Sequence, residues 1–430
     1  MQVNDIDQTG SARSGLTLFL SGLAAFGAYF AMYAFRKPFA AATYADVAGW
    51  HFLIDYKSAL LIAQVLGYAL SKLVGVRVIA EAGRHGRARM ILALIGLSWL
   101  ALLAFALIPA PWNVACLFLN GLPLGLIWGL VFSYVEGRRV SELLGSMLCA
   151  SFILSSGVVK SAAVLLMQVG VAERWMPAAT GLAFVPLLLI ALWQLERLPP
   201  PDARDEAERV VRVPMRAADR AAFLRAHGGT LALLITGYVL LTALRDIRDN
   251  FAAEIWTGLG YGGEASVFSA SELPVAVVTL GALALLALVR DNLRALLAMH
   301  GIILLGAALL GFSTLAFQAG LLAPLPWMII TGAGLYFAYT PFNAMLFDRM
   351  IATIGTAANA GFLIYIADAS GYVGSVALLL VRSLGAPAMQ WLPFFVACSY
   401  ATALAVTLFT LVSALHFLRT RPRGVAHVPA

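Results

Sequence analysis

Hydrophobic residues in this chain come in long runs, with the polar residues gathered between them. Twelve runs are long enough to cross a hydrocarbon layer of about 30 Å as helices: 15–42, 56–80, 90–108, 112–135, 144–168, 176–196, 229–256, 266–289, 296–317, 323–347, 354–381 and 389–418. A segment in lipid must satisfy its own backbone hydrogen bonds, so helices are the expected form. The pattern predicts an all-α polytopic membrane protein with twelve transmembrane helices in two six-helix, pseudo-symmetric bundles. The most polar stretch, 197–228, separates six runs from six. It begins RLPPPDARDEAERVVRVPMRAADR, and Pro199 to Pro201 end the sixth run. The expected organisation is an N-terminal bundle (1–196), a cytoplasmic connector (197–228) and a C-terminal bundle with a short cytoplasmic tail (229–430).

Composition strengthens this picture. Of 430 residues, 61% are hydrophobic and 12% charged, where soluble globular proteins have about a quarter charged. The net charge of +7 raises the question of nucleic acid, and its distribution answers it. With the N-terminus inside and loops alternating, twenty of the 29 Lys and Arg residues fall in inner loops and tails. Three fall outside, namely Lys57, Arg174 and Arg382. That is the positive-inside bias of a protein in a cell (inner or plasma) membrane, with both termini cytoplasmic. Basicity here reports topology, and no nucleic acid is implied. Cys116, Cys149 and Cys398 lie within runs and read as small buried hydrophobes, with no disulfide, metal or cofactor spacing. The first fourteen residues lack a cleavage pattern, so the first run is expected to be retained.

The remaining six cations lie inside runs: Arg36, Lys37, Lys72, Lys160, Arg245 and Arg248. Each would cost about 2.5–3.5 kcal/mol at mid-bilayer if unpaired. They must therefore be paired, snorkel to the interface or face water. The acids at hand are Asp246, Asp249, Glu254, Glu272 and Asp368. Arg36 and Lys37 either end the first helix at the outer headgroups or sit within a long helix, with Arg36 facing a cavity. The second reading suits an anion, because a guanidinium binds carboxylate or phosphate bidentately and stays protonated. Arg245, Arg248 and Asp249 share a helix face at i, i+3 and i+4, either as a self-neutralising cluster or with one Arg turned to the cavity. Lys72 reads as gating or packing. Lys160 either lines the cavity or meets an acid on a neighbouring helix. Asp368 either couples a proton or pairs with Lys160 or an Arg.

RKPFAA from Arg36 is echoed by RDNFAA from Arg248, an offset of 212 residues (248 minus 36). With six runs on each side of a connector, the echo suggests an internal repeat of the kind transporters use. Further motifs are YAFRKPF in the first run, GYALSKLVG (Gly67 to Gly75) in the second, and AEAGRHGRARM with Glu81 after it. SELPVAVV with Glu272 lies in the eighth run, and GTAANAGF and GYVGS in the eleventh. These motifs resemble those of the major facilitator superfamily, and within it the organophosphate:phosphate antiporter branch. The resemblance implies that Arg36 binds the substrate phosphate and that Lys37 pairs with Glu272. It aligns Arg245 with the second substrate-binding Arg, whereas the internal echo selects Arg248. The fifth span departs from the branch, with Phe152 near the place of its substrate-site His.

These readings converge on a secondary transporter for a small anionic solute, working by alternating access as a monomer. Arg36, Arg245, Arg248 and Lys160 would bind substrate. Lys37, Glu272, Lys72, Asp249 and Asp368 would form gating or coupling pairs. A counter-anion or a proton, the latter through Asp368 or Glu272, would drive it. The alternative is a non-transporting membrane sensor of a small solute. No HExxH, Walker A, GxSxG or paired-Asp motif occurs, so an enzyme is not expected.

Overall fold

The computed structural model describes residues 20–45, 47–81, 86–135, 141–198, 217–354, 360–386 and 388–419. All regular structure there is helical. The helices are α1 (Leu20–Tyr33), α2 (Tyr56–Glu81), α3 (Arg87–Leu107), α4 (Val114–Val135), α5 (Ser141–Gln168), α6 (Met176–Ala183), α7 (Val185–Glu196) and α8 (Ala217–Asn250). They continue with α9 (Ala252–Gly258), α10 (Ser266–Ala287), α11 (Asn292–Gln318), α12 (Pro324–Ala344), α13 (Leu346–Ile354), α14 (Ala360–Gly385) and α15 (Trp391–Arg419). Among the described residues, eight helices are long and apolar enough to cross a membrane. The count is nine if α6 and α7, which meet at 42°, form one bent span.

Several runs read as single helices are broken. The first run, 15–42, gives α1, a turn over 34–37 and a 3-10 helix, Pro38–Ala41. Pro38 has no N–H to bond the Ala34 carbonyl, so the α-ladder cannot pass it. The turn tightens instead, with the Arg36 and Lys37 amides both bonded to Tyr33 O. The seventh run, 229–256, gives α8 and then α9 beyond a break at Phe251 (φ −108°, ψ 25°). The tenth, 323–347, gives α12 and then α13 beyond Met345.

By compactness the chain divides into two units. One comprises Met1–Arg209, Asp249–Leu280 and Ser383–Pro387; the other comprises Val210–Arg248, Gly281–Arg382 and Ala388–Ala430. The first unit is built on the crossing of α2 and α4. There, a Cβ added at Gly67 would run into the Phe118 carbonyl, and one at Gly121 into the Gln64 carbonyl. Small residues allow backbones this close where lipid supplies no hydrophobic drive between helices. In the second unit, α11 and α12 meet in the same way through Gly306 and Gly334. His300 of α11 is buried there, with Nε2 2.9 Å from the Ser413 hydroxyl of α15.

Candidate functional site

Arg36 lies in the turn after α1 and not within a long helix, one of the two readings of the run. The turn leaves consecutive carbonyls without helical partners, and two buried amides take them up. Asn120 Nδ2 of α4 donates to Phe35 O at 3.0 Å, and Gln64 Nε2 of α2 donates to Arg36 O at 3.0 Å. The amides are themselves joined, Gln64 Nε2 to Asn120 Oδ1 at 2.7 Å. Ser98 Oγ of α3 lies 2.6 Å from Asn120 Nδ2 and steadies it. The Arg36 guanidinium, half-buried, rests 4.0 Å from the centroid of the Tyr68 ring, a cation–π contact. Tyr33 is 5.8 Å away, within a cluster where Tyr29 meets Tyr33 and Trp128 edge-on.

The neighbouring lysines form an ion lattice inside the same unit. Lys37 Nζ lies 2.5 Å from Asp249 Oδ2 and donates to Asn250 Oδ1 at 2.7 Å. Its acid is therefore Asp249, where the resemblance had implied Glu272. The two breaks in the chain, after α1 and after α8, bring these residues together. Lys160 of α5, 2% exposed, meets the other oxygen of Asp249 at 2.5 Å and also donates to the Asp249 carbonyl. Ser156 Oγ, one turn earlier on α5, donates to Asp249 Oδ1. One carboxylate thus serves two buried ammoniums. Of the two readings of Lys160, the structure gives an acid on another helix.

Lys57, assigned to an outer loop from sequence, is buried in the first turn of α2, 2% exposed. It holds both oxygens of Glu254 at 2.7 and 2.8 Å and the Ala40 carbonyl at 2.9 Å. Glu272 of α10 is buried against α5, where a Cβ at Gly157 would press on its Cβ and Cγ. Ser161 reinforces this contact, donating to Ala265 O and lying 2.7 Å from the Ser269 hydroxyl.

In the second unit, Arg245 binds Asp246 Oδ1 through Nε (3.2 Å) and Nη2 (2.8 Å) and lies 4.4 Å from the Tyr339 ring centroid. Ser375 donates to the other oxygen of Asp246. Arg248, 2% exposed, donates from Nη2 to Met328 O at 2.9 Å. Of the cluster read from spacing, Asp249 carries Lys37 and Lys160 on its carboxylate, while Arg245 holds Asp246. Asp368 accepts from Tyr238 at 2.6 Å, and Asn343 Nδ2 donates to that same phenol oxygen. Lys72 lies in α2 with its side chain outside the described residues, as are Glu136, Arg138, Arg139 and most of GTAANAGF. Among the described residues, no group of three His, Cys, Asp or Glu could hold a metal ion.

Sequence reasoning missed Lys57, Gln64, Asn120, Asn250 and Tyr238. A signal existed for two of these: Gln64 in LLIAQVLGY and Asn120 in CLFLNGLPL are lone amides in apolar runs, where a polar group needs a partner.

Solved transporter structures share this fold. A D-xylose–proton symporter matches with a TM-score of 0.61 at 14% identity, covering 95% of this chain and 97% of that one. A structure from work on proton-dependent oligopeptide transporters matches at 0.59 and 14%, over 94% and 99% of the two chains. A bacterial homologue of the human lysosomal transporter spinster, inward-facing and unoccupied, matches at 0.57 and 13%, over 95% and 98%. The chain itself belongs to a family of unknown function, DUF5690, whose model matches residues 38–420. No curated protein matches it.

Proposed function

We propose that the protein is a secondary active transporter that moves a small anionic solute, phosphorylated or carboxylated, by alternating access. The observation that carries the reading is the sharing of Asp249 by Lys37 and Lys160. Two buried ammoniums and the Arg36 guanidinium, gathered in one unit, set cationic donors in a low-dielectric interior, a setting that suits an anion. Arg36, fixed beside this lattice, supplies a permanent cation with directional donors. The fold shared with a sugar symporter and with an inward-facing transporter homologue supports movement of the solute rather than binding alone. Coupling is to a counter-anion or to a proton, with Glu272 and Asp368 as the candidate carriers.

A thermal-shift series of purified protein against inorganic phosphate, phosphorylated sugars and small carboxylates tests this, with Arg36→Gln run alongside. A ligand at a hundred times its dissociation constant stabilises wild type by about 2.7 kcal/mol, and Arg36→Gln abolishes the shift. Stabilisation by neutral or cationic solutes alone would refute the anion reading. Uptake of the stabilising anion into proteoliposomes separates transport from sensing.

A further inference from the structure

We infer that Gln64 and Asn120 are positioning residues for the anion site, holding Arg36 through its backbone; the inference rests on the anion reading above. A guanidinium discriminates among anions only if its fork is held in one orientation, and Arg36 does not sit on a regular helix that would fix it. α1 ends at Tyr33, and over Ala34 to Arg36 the amides bond three residues back, to Ala31, Met32 and Tyr33, before the 3-10 helix begins at Pro38. The peptide units on either side of the Arg36 Cα are instead gripped by side chains. Asn120 takes the carbonyl before it and Gln64 the carbonyl of Arg36 itself. Both amides are buried, at 0% and 3% exposure, and Ser98 behind Asn120 is at 0%.

The geometry is closed at every point. Gln64 divides its two N–H donors between Arg36 O and Asn120 Oδ1. Asn120 divides its own between Phe35 O and Ser98. A primary amide has two N–H donors, so this use engages the donors of both side chains. The support beneath is stiff, because Gly67 and Gly121 bring α2 and α4 into backbone contact at the level of the amides. Tyr68, four residues after Gln64 on α2, is the ring on which the guanidinium rests. One face of one helix thus fixes both the Arg36 carbonyl and its charged end.

If the amides served only to hold helices together, their loss would lower stability and leave the ligand affinity of the folded protein unchanged. A positioning role predicts more. Gln64→Met keeps length and burial but removes the donor to Arg36 O. Titration calorimetry with inorganic phosphate is expected to show affinity about tenfold weaker, the scale of one hydrogen bond. In an Arg36→Lys background, which keeps the cation but not the fork, the same change should cost less than in wild type, because Gln64 acts by orienting that fork. Ser98→Ala, milder for folding, should give a smaller loss with the same dependence on Arg36.

Losses that add independently of Arg36, or a Gln64→Met protein with wild-type phosphate affinity, would overturn the positioning role and leave the anion reading standing. Phosphate binding unaffected by Arg36→Gln, or no binding to wild type by inorganic phosphate and small carboxylates alike, would overturn the anion reading and the positioning role with it.

Discussion

Asp249 holds two buried lysines on one carboxylate. Removing one member of a buried ion pair leaves its partner uncompensated, at a cost of about 3–5 kcal/mol. Asp249→Asn strands two ammoniums, Lys37 and Lys160, and is expected to destabilise by at least that much in thermal unfolding. Adding Lys160→Met should restore part of the loss, since it removes one of the stranded charges. An unchanged melting temperature for Asp249→Asn would show the lattice to be energetically idle. At this scale the sequence was legible in kind: mid-run lysines and acids must find one another, and Lys160 and Asp249 do. The choice of partner was not legible. Spacing along one helix pointed Asp249 towards Arg245 and Arg248, while its partners come from α5 and the turn after α1. Lys57 was misplaced for a similar reason. Hydropathy marks where a run begins, and Lys57 stands at that boundary; only the fold puts Glu254 beside it.

Among the elements, apolar length was readable and the breaks were not. A hydropathy run has the same composition whether its helix is continuous or interrupted; Pro38 was a warning in 15–42 that hydropathy passes over, and 229–256 holds no proline to mark the break at Phe251. The RKPFAA and RDNFAA echo did mark them, since each copy falls on a break, but similarity alone carried no geometry. The glycines were equally silent, although they decide how closely helices approach. Gly121→Ala drives a methyl into the Gln64 carbonyl and is expected to cost about 1–3 kcal/mol as overpacking. Gly96→Ala, with open space around it, should be neutral or slightly stabilising. Melting temperatures of the two variants in the same detergent make the comparison, and equal values would argue against backbone contact at the α2–α4 crossing.

For the molecule as a whole, the fold class followed from hydropathy and charge, while the substrate is a question for chemistry. The charge bias predicts an orientation that impermeant thiol reagents can test in intact cells. In a cysteine-free background, a cysteine at Val169, 79% exposed in the loop after α5, should label from outside, and one at Arg84 only after permeabilisation. The reverse pattern would invert the topology. The Lys37–Asp249 pair gives the molecule a polarity of its own. Lys37 and Asp249 occupy the same place in the two echoed hexapeptides, so two identical copies would set like charges against each other. Opposite signs alone would be satisfied either way round, but Lys160 breaks the tie by standing on the Asp249 side. The exchange Lys37→Asp with Asp249→Lys preserves the sum of charges and yet brings two ammoniums together against α5. Whatever ancestry the echoes reflect, their roles have become unlike, and a graft of either hexapeptide onto the other's position would carry the wrong sign into the lattice.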